Sequence, residues 1–305
     1  AGQQTIGMRL YFGPNHFVTL KEYGDLELQT VVTVGGSVIK WINAYVIIPI
    51  FNWLDNWIAN YGIIILLLTL ILKLALFPLT YKSYKSQAVM RVLKPQVDEI
   101  NERYPKKEDA MKKQQATMDL YKRAGANPMG GCLPMLLQFP ILYAMFRFFP
   151  TSIELRQEQF LWAQDLSTYD SVLDLPFSIP MYGDHVSLFT LLMTVTTMLS
   201  MRWNNQATGG GSQMPGMKTM MYIMPVMFMF ILNNFSAGLT YYYFLANLIT
   251  LSQNYLFRKF TDEEKILKKI NARKSKPAKK SGLAKRLEQI QKQQQTGRKP
   301  VSRRR

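Results

Sequence analysis

The stretch from Tyr61 to Tyr81, YGIIILLLTLILKLALFPLTY, limits what this chain can fold into more than any other. A helix that crosses a lipid bilayer needs roughly 20 mostly apolar residues. This run has that length and holds a single charge, Lys73, far from either end. At about 1.5 Å rise per residue, Lys73 lies on the order of 13 Å from Lys82 along the axis. A lysine stem reaches about half that distance, so snorkelling does not bring the ammonium to the headgroups. A charge in mid-span costs roughly 2.5–3.5 kcal/mol on insertion scales, and such residues face a polar interior or a water-filled cavity. The candidate spans contain no acidic residue. The sequence therefore predicts an unpaired lysine facing a wet cavity.

The composition fits the same picture. The chain is 48% hydrophobic and 19% charged, yet carries a formal charge of +17. These values coexist because apolar and basic residues are segregated along the chain. Five runs read as transmembrane spans: 61–82, 127–150, 185–203, 217–233 and 239–257. The basic residues crowd into 83–125 and 258–305, whereas the 151–184 loop holds only Arg156. The positive-inside rule then puts the 83–125 segment, the 204–216 loop and the tail in the cytoplasm, and residues 1–60 and 151–184 outside. An odd number of spans agrees with that charge bias.

Between the spans, the patterns predict further elements. Residues 1–35 contain MRLYFGP and LELQTVVTVGG, which read as short strands and as the end of an extracytoplasmic β-rich domain begun upstream. Residues 36–60 place apolar positions at helical spacing with Trp41, Trp53 and Trp57 among them, the pattern of an amphipathic helix lying in the membrane interface. In 83–125, Met90, Leu93, Val97 and Ile100 form one helical stripe, and Met111, Met118 and Tyr121 a weaker one. Pro105 separates them, which predicts a cytoplasmic helical hairpin. The tail, rich in Lys, Arg and Gln, reads as largely disordered, with a charge suited to RNA or anionic lipid. The single cysteine, Cys132, reads as a packing residue, and His16 and His185 as ordinary polar residues near surfaces. The fold class expected is an all-α polytopic membrane protein with a short β-rich N-terminal remnant.

Polar residues recur inside the other spans. Gln138 lies between Pro134 and Pro140 in the second, and Asn247, Thr250 and Gln253 lie in the fifth. Asn247 and Thr250, three apart, share a helix face. Polar residues in spans often bind neighbouring helices. Here they converge with Lys73 on one hydrated site. The fourth span, MKTMMYIMPVMFMFIL, is dense in methionine, whose flexible side chain accepts varied apolar partners.

Four segments, NYGIIILLLTLILKLALFPLT, MRVLKPQVDEINERY, NPMGGCLPMLLQFPILYAMF and ANLITLSQN, resemble in order and spacing the YidC/Oxa family of membrane protein insertases over about residues 37–260. The resemblance implies a hydrophilic groove open to cytoplasm and lipid and closed on the outer side. Through it nascent membrane proteins are inserted and folded, alone or with the Sec translocon, in the bacterial inner membrane. It implies Lys73 as the groove charge, at a position where the family usually has arginine, with Gln138, Asn247 and Thr250 as groove polar residues. It maps a substrate slide onto Ile141, Leu142, Met224, Pro225 and Phe228. Implied partners are the ribosome at the basic tail, a targeting-factor receptor at the hairpin, and anionic lipids. Neither a cofactor nor a metal is implied, and the chain contains no GxxxxGK[ST] and no HExxH.

Other classes remain to be weighed. A secondary transporter of a small anionic solute also places polar residues at midplane, but commonly with internal repeats, which this chain lacks. An intramembrane hydrolase would pair Lys73 with a serine. Ser200, Ser236 and Ser252 lie near span ends. An assembly chaperone without insertase activity of its own is the nearest alternative.

Overall fold

A computed structural model describes residues 11–32, 35–126, 133–207 and 217–274. The readings made on 1–10, on 127–132 with Cys132, on the 208–216 loop and on 275–305 lie outside the described residues.

The described chain is helical apart from one small sheet. Its helices are α1 (Phe17–Glu22), α2 (Ser37–Ile42), α3 (Ile48–Asp55), α4 (Tyr61–Ala75), α5 (Phe77–Val92), α6 (Lys94–Arg103), α7 (Ala110–Ala124), α8 (Leu133–Thr151), α9 (Leu188–Ala207), α10 (Met217–Leu232), α11 (Ala237–Phe260) and α12 (Glu263–Lys274). A π turn, Asn43–Ile47, joins α2 to α3.

α11 is the centre of the bundle, packing on α9, α4 and α8. Ile64, Ile65, Leu68 and Leu72 from α4 meet Ala144, Met145, Phe148 and Phe149 from α8 and Tyr241, Tyr242, Leu245 and Ala246 from α11. Ile47, Phe51 and Leu54 cover this core from the side. The Phe51 ring sits edge-on to Phe148 at 5.2 Å. Trp41, Trp53 and Trp57, on the opposite side of that run, are exposed. The Asn60 side chain accepts from the Ile63 N–H at 3.1 Å and starts α4, and Ser236 likewise caps α11.

The first apolar run does not continue as one helix. It breaks at Leu76, and α5 leaves α4 at 61°. Pro78 is the cause: it has no N–H to give the carbonyl four residues back, and its ring collides with that carbonyl. It is accommodated in the first turn of α5 instead. Among the described residues no single helix is long and apolar enough to cross a membrane, though the bent α4–α5 pair passes together by length and composition. α4 spans about 22 Å at 1.5 Å per residue. α9 and α11 are longer but carry Thr, Ser and Asn side chains that lower their hydropathy.

Four expectations are corrected. Residues 17–31 form α1 and two 3-10 turns, Gly24–Leu26 and Leu28–Val31, and the described part of 1–35 contains no strand. The β-branched residues there have no sheet to join, and β propensity expresses packing on a pleated surface rather than a backbone preference. The strands lie instead in the loop after α8: β1 (Leu173–Ile179) pairs antiparallel with β2 (Gly183–Val186), Leu173 opposite Val186 and Asp174 opposite His185. The tail is helical as far as Lys274, and α12 docks on α5 and α7. Ile270 enters a small core with Met90, Leu93, Val97, Tyr121 and Ala124, while Arg91 pairs with Glu263 at 2.9 Å. In the hairpin α6–α7, Met111 points to solvent, so the second stripe runs through Thr117, Tyr121 and Ala124. Finally, His185 is buried: its Nε2 meets the Asn233 carbonyl at 2.9 Å, and Tyr169 stacks on its ring.

Candidate functional site

Lys73 lies in the last turn of α4 and is only 6% exposed. Its ammonium donates to Gln138 Oε1 on α8 at 2.9 Å and to Thr250 Oγ1 on α11 at 2.9 Å. The Thr250 hydroxyl in turn donates a hydrogen bond to the Ala246 carbonyl at 2.7 Å. Three helices are thus tied together around one cation, with Lys73 shortly before the Pro78 break and Gln138 two residues before Pro140 inside α8.

Asn247, one turn before Thr250, is not among the hydrogen-bond partners of Lys73. Its Nδ2 donates to Thr197 Oγ1 on α9 at 2.7 Å. Of the four polar residues expected to gather, three form one cluster and the fourth ties the adjoining helix to it. The lysine expected to face a wet cavity is instead enclosed and hydrogen-bonded in this structure. Both its partners are neutral, and among the described residues no carboxylate pairs with it. A lysine offers three donors. Two are used here. The arrangement is a buried cation held by two neutral dipoles from two other helices.

The slide residues divide. Ile141 and Leu142 are half-buried against the main core, Met224 is half-buried, Pro225 is buried and Phe228 is exposed. Among the described side chains, the apolar ones most exposed on α8 are Leu136 and Phe139, and on α10 Ile223 and Met227. Helical periodicity around Gln138 could have found the first two, since positions 136, 139 and 143 share a face. The hydroxyls weighed as hydrolase nucleophiles do not bond Lys73: Ser236 caps α11 and donates to the Leu166 carbonyl, and Ser252 donates to the Leu248 carbonyl.

At the opposite end of the bundle sits a second polar cluster, which sequence reasoning missed. Asp170, 1% exposed, accepts from Trp162 Nε1 at 2.7 Å, from the Phe189 N–H at 3.0 Å and from Ser187 Oγ at 2.5 Å. Asn233 beside it accepts from the Ser187 N–H and donates to the carbonyls of Tyr182 and His185. No periodic signal marks these residues, because their meeting depends on how the loop after α8 folds back.

A bent apolar helix pair that passes for a membrane span by length and composition, with a buried cation at the centre of the helical bundle, is the arrangement of a membrane-associated helical protein. A family model described as "60Kd inner membrane protein" matches residues 53–265, and the chain belongs to that family. It is similar to the proteins named Membrane protein insertase YidC from Parabacteroides distasonis, 52% identical over 96% of this chain and 48% of that protein, and from Bacteroides fragilis, 52% identical over 96% and 49%. The protein of that name from Porphyromonas gingivalis is 48% identical over 98% and 50%. The chain spans about half the length of the curated relatives it matches. Its fold resembles the solved structure titled "Active YidC insertase crystal structure with the first transmembrane domain resolved", with a TM-score of 0.52 and 27% identity over 82% of this chain and 54% of that one. The YidC/Oxa resemblance read from the sequence and these matches agree.

Proposed function

We propose that the chain is the membrane-embedded part of an insertase, which passes short polar segments of nascent membrane proteins across the bacterial inner membrane and releases their apolar segments into lipid. The observation that carries this reading is the pairing of Lys73 with Gln138 and Thr250: a buried ammonium held by neutral groups from two other helices and lacking its counter-charge. In this reading Lys73, Gln138, Asn247 and Thr250 line a hydrophilic groove, and the described state has it closed. An acidic residue in a substrate's N-terminal tail displaces the amide and hydroxyl. An ammonium–carboxylate pair at about 4 Å is worth about 4 kcal/mol at the effective dielectric of a protein surface, more than either dipole offers. The membrane potential adds about 2.3 kcal/mol per elementary charge per 100 mV for a negative group moving outward. Apolar segments meanwhile meet the faces of α8 and α10, with Ile141, Leu142, Met224, Pro225 and Phe228 as the slide, and partition into lipid at about 25 cal/mol per Å².

The topology that suits this mechanism has five spans: α4 with the start of α5, then α8, α9, α10 and α11. The α6–α7 hairpin and the basic segment from α12 onward lie in the cytoplasm, and the β1–β2 end lies outside. The aromatic packing of Phe148, Phe149, Tyr241 and Tyr242 supports an outer closure, so that water enters from the cytoplasmic side alone. The ribosome, the Sec translocon, a targeting-factor receptor and anionic lipid are the partners this arrangement serves.

The test is charge reversal. In proteoliposomes, Lys73→Glu is expected to slow insertion of a substrate with an acidic translocated tail by at least about tenfold, with Lys73→Arg retaining activity. A normal rate for Lys73→Glu overturns the groove-charge mechanism.

A further inference from the structure

The α9–α11 interface carries two matched sets of polar residues. Thr197, Ser200 and Asn204 on α9 fall at i, i+3 and i+7, as do Asn247, Thr250 and Asn254 on α11. At 100° per residue each set lies within an arc of about 60°, so each forms one stripe. The outer rungs are made. Asn247 Nδ2 donates to Thr197 Oγ1 at 2.7 Å, and Asn254 Nδ2 to Asn204 Oδ1 at 3.5 Å, both across a separation of 50 residues. The equal offset means that the helices run in the same direction and in register. The middle rung, at the same offset, is Ser200 with Thr250, and it is not made. Thr250 Oγ1 accepts from Lys73 instead. Ser200 Oγ is buried and has no hydrogen-bond partner among the described residues.

A buried hydroxyl without a partner costs free energy, and native structures rarely leave one without a reason. We propose that Ser200 is a positioning residue for Lys73, acting through Thr250. When Lys73 turns to a substrate carboxylate, Thr250 loses the N–H it was accepting. Ser200 then donates to Thr250 Oγ1 and completes the middle rung. Thr250 keeps its own proton on the Ala246 carbonyl throughout. Releasing the lysine therefore strands no buried acceptor, and the interface between α9 and α11 zips as the groove engages. The exchange is one hydrogen bond for another, with no proton transferred.

The inference rests on the insertase reading, and one assay separates the two. The full-length protein in proteoliposomes is given two substrates that differ only by Glu or Gln in the translocated tail, and the ratio of their insertion rates is measured. Ser200→Ala is expected to lower the Glu/Gln ratio by about threefold to tenfold, the effect of one hydrogen bond left unmade. Ser200→Thr, which keeps the hydroxyl, is expected to restore it. In a Thr250→Val background Ser200→Ala is expected to change nothing further, because the route to Lys73 is already cut. An unchanged ratio for Ser200→Ala overturns the proposal, as do effects that add in the double variant. So does an equal loss for both substrates accompanied by a lowered Tm, which marks ordinary packing. If Lys73→Glu also leaves the ratio unchanged, the groove-charge reading falls with it. If Lys73→Glu abolishes the preference while Ser200→Ala is silent, only the middle rung is wrong.

Discussion

Asp170 and Lys73 are two buried charges at opposite ends of one bundle, and they are treated oppositely. Asp170 receives three donors, an indole, a backbone amide and a hydroxyl, and its neighbours are satisfied in turn by Asn233. Lys73 receives two neutral acceptors and keeps a donor in hand. Burying a charge is tolerable when its hydrogen-bonding capacity is filled, and the saturated site then rigidifies what surrounds it. The carboxylate end is therefore built to hold one geometry: β1–β2, the start of α9 and the turn before α11 converge on it. In the proposed mechanism the lysine end exchanges partners, and saturation is then what separates a structural charge from a working one.

The comparison breaks first at Asp170. Asp170→Ala leaves the Trp162 indole N–H and the Phe189 N–H without their acceptor and the Ser187 hydroxyl with Thr190 Oγ1 alone, and it is expected to lower stability by about 2–5 kcal/mol, at about 1–3 kcal/mol per donor left unsatisfied. Chemical unfolding of the purified protein in detergent measures this. A loss below about 1 kcal/mol would mean that the network is ornamental. Substrate charge preference among the molecules that remain folded is expected to be unchanged, since Asp170 lies at the far end of the bundle from Lys73.

Lys73→Met sharpens the contrast from the other side. Methionine fills the lysine stem's volume and removes the charge, and replacing an incompletely compensated buried ion with an apolar residue is often neutral or stabilising. Stability is expected to hold or to rise by up to about 2 kcal/mol, while preference for acidic tails is lost. Gain of stability with loss of function is what a site kept for work rather than for folding shows. A loss above about 2 kcal/mol would make Lys73 a structural residue like Asp170.

These two charges were unequally legible in the sequence. Lys73 was visible because a long apolar run surrounds it, and Gln138 and Thr250 stood out against apolar neighbours. Asp170 sits in a polar loop, where nothing distinguishes a buried carboxylate from a solvated one. The Pro78 signal was present, but the apolar run continues through it, and hydropathy masked the bend. The strands went to the wrong place because β-branched residues near 30 have no partner strand, while Leu173–Ile179 gains one only through the turn at Tyr182. The α12 helix was hidden by its charge: Ile266 and Ile270 are two apolar residues four apart in a basic segment, too few to outweigh a disordered composition until the hairpin offers them a core.

The smallest expected effect tests whether saturation matters at a surface. Arg91 and Glu263 join α5 to α12 at 2.9 Å, but the Glu263 side chain is 47% exposed. Water already solvates much of that carboxylate, so the pair is expected to contribute no more than about 1 kcal/mol, and less in salt. Glu263→Gln should leave α12 docked, with cleavage by trypsin at Lys265 and Lys268 rising no more than a few-fold at low salt and not at all in 1 M salt. Ile270→Asp supplies the contrast, because it puts a carboxylate among Leu93, Val97 and Tyr121 and should release α12 to the protease at any salt concentration. If Glu263→Gln instead frees α12 as fully as Ile270→Asp does, the ion pair and not the apolar contact holds the helix. A half-exposed pair would then be acting with the force of the buried Asp170 network, and the distinction between filled and exchangeable charges would have to be redrawn around geometry rather than burial.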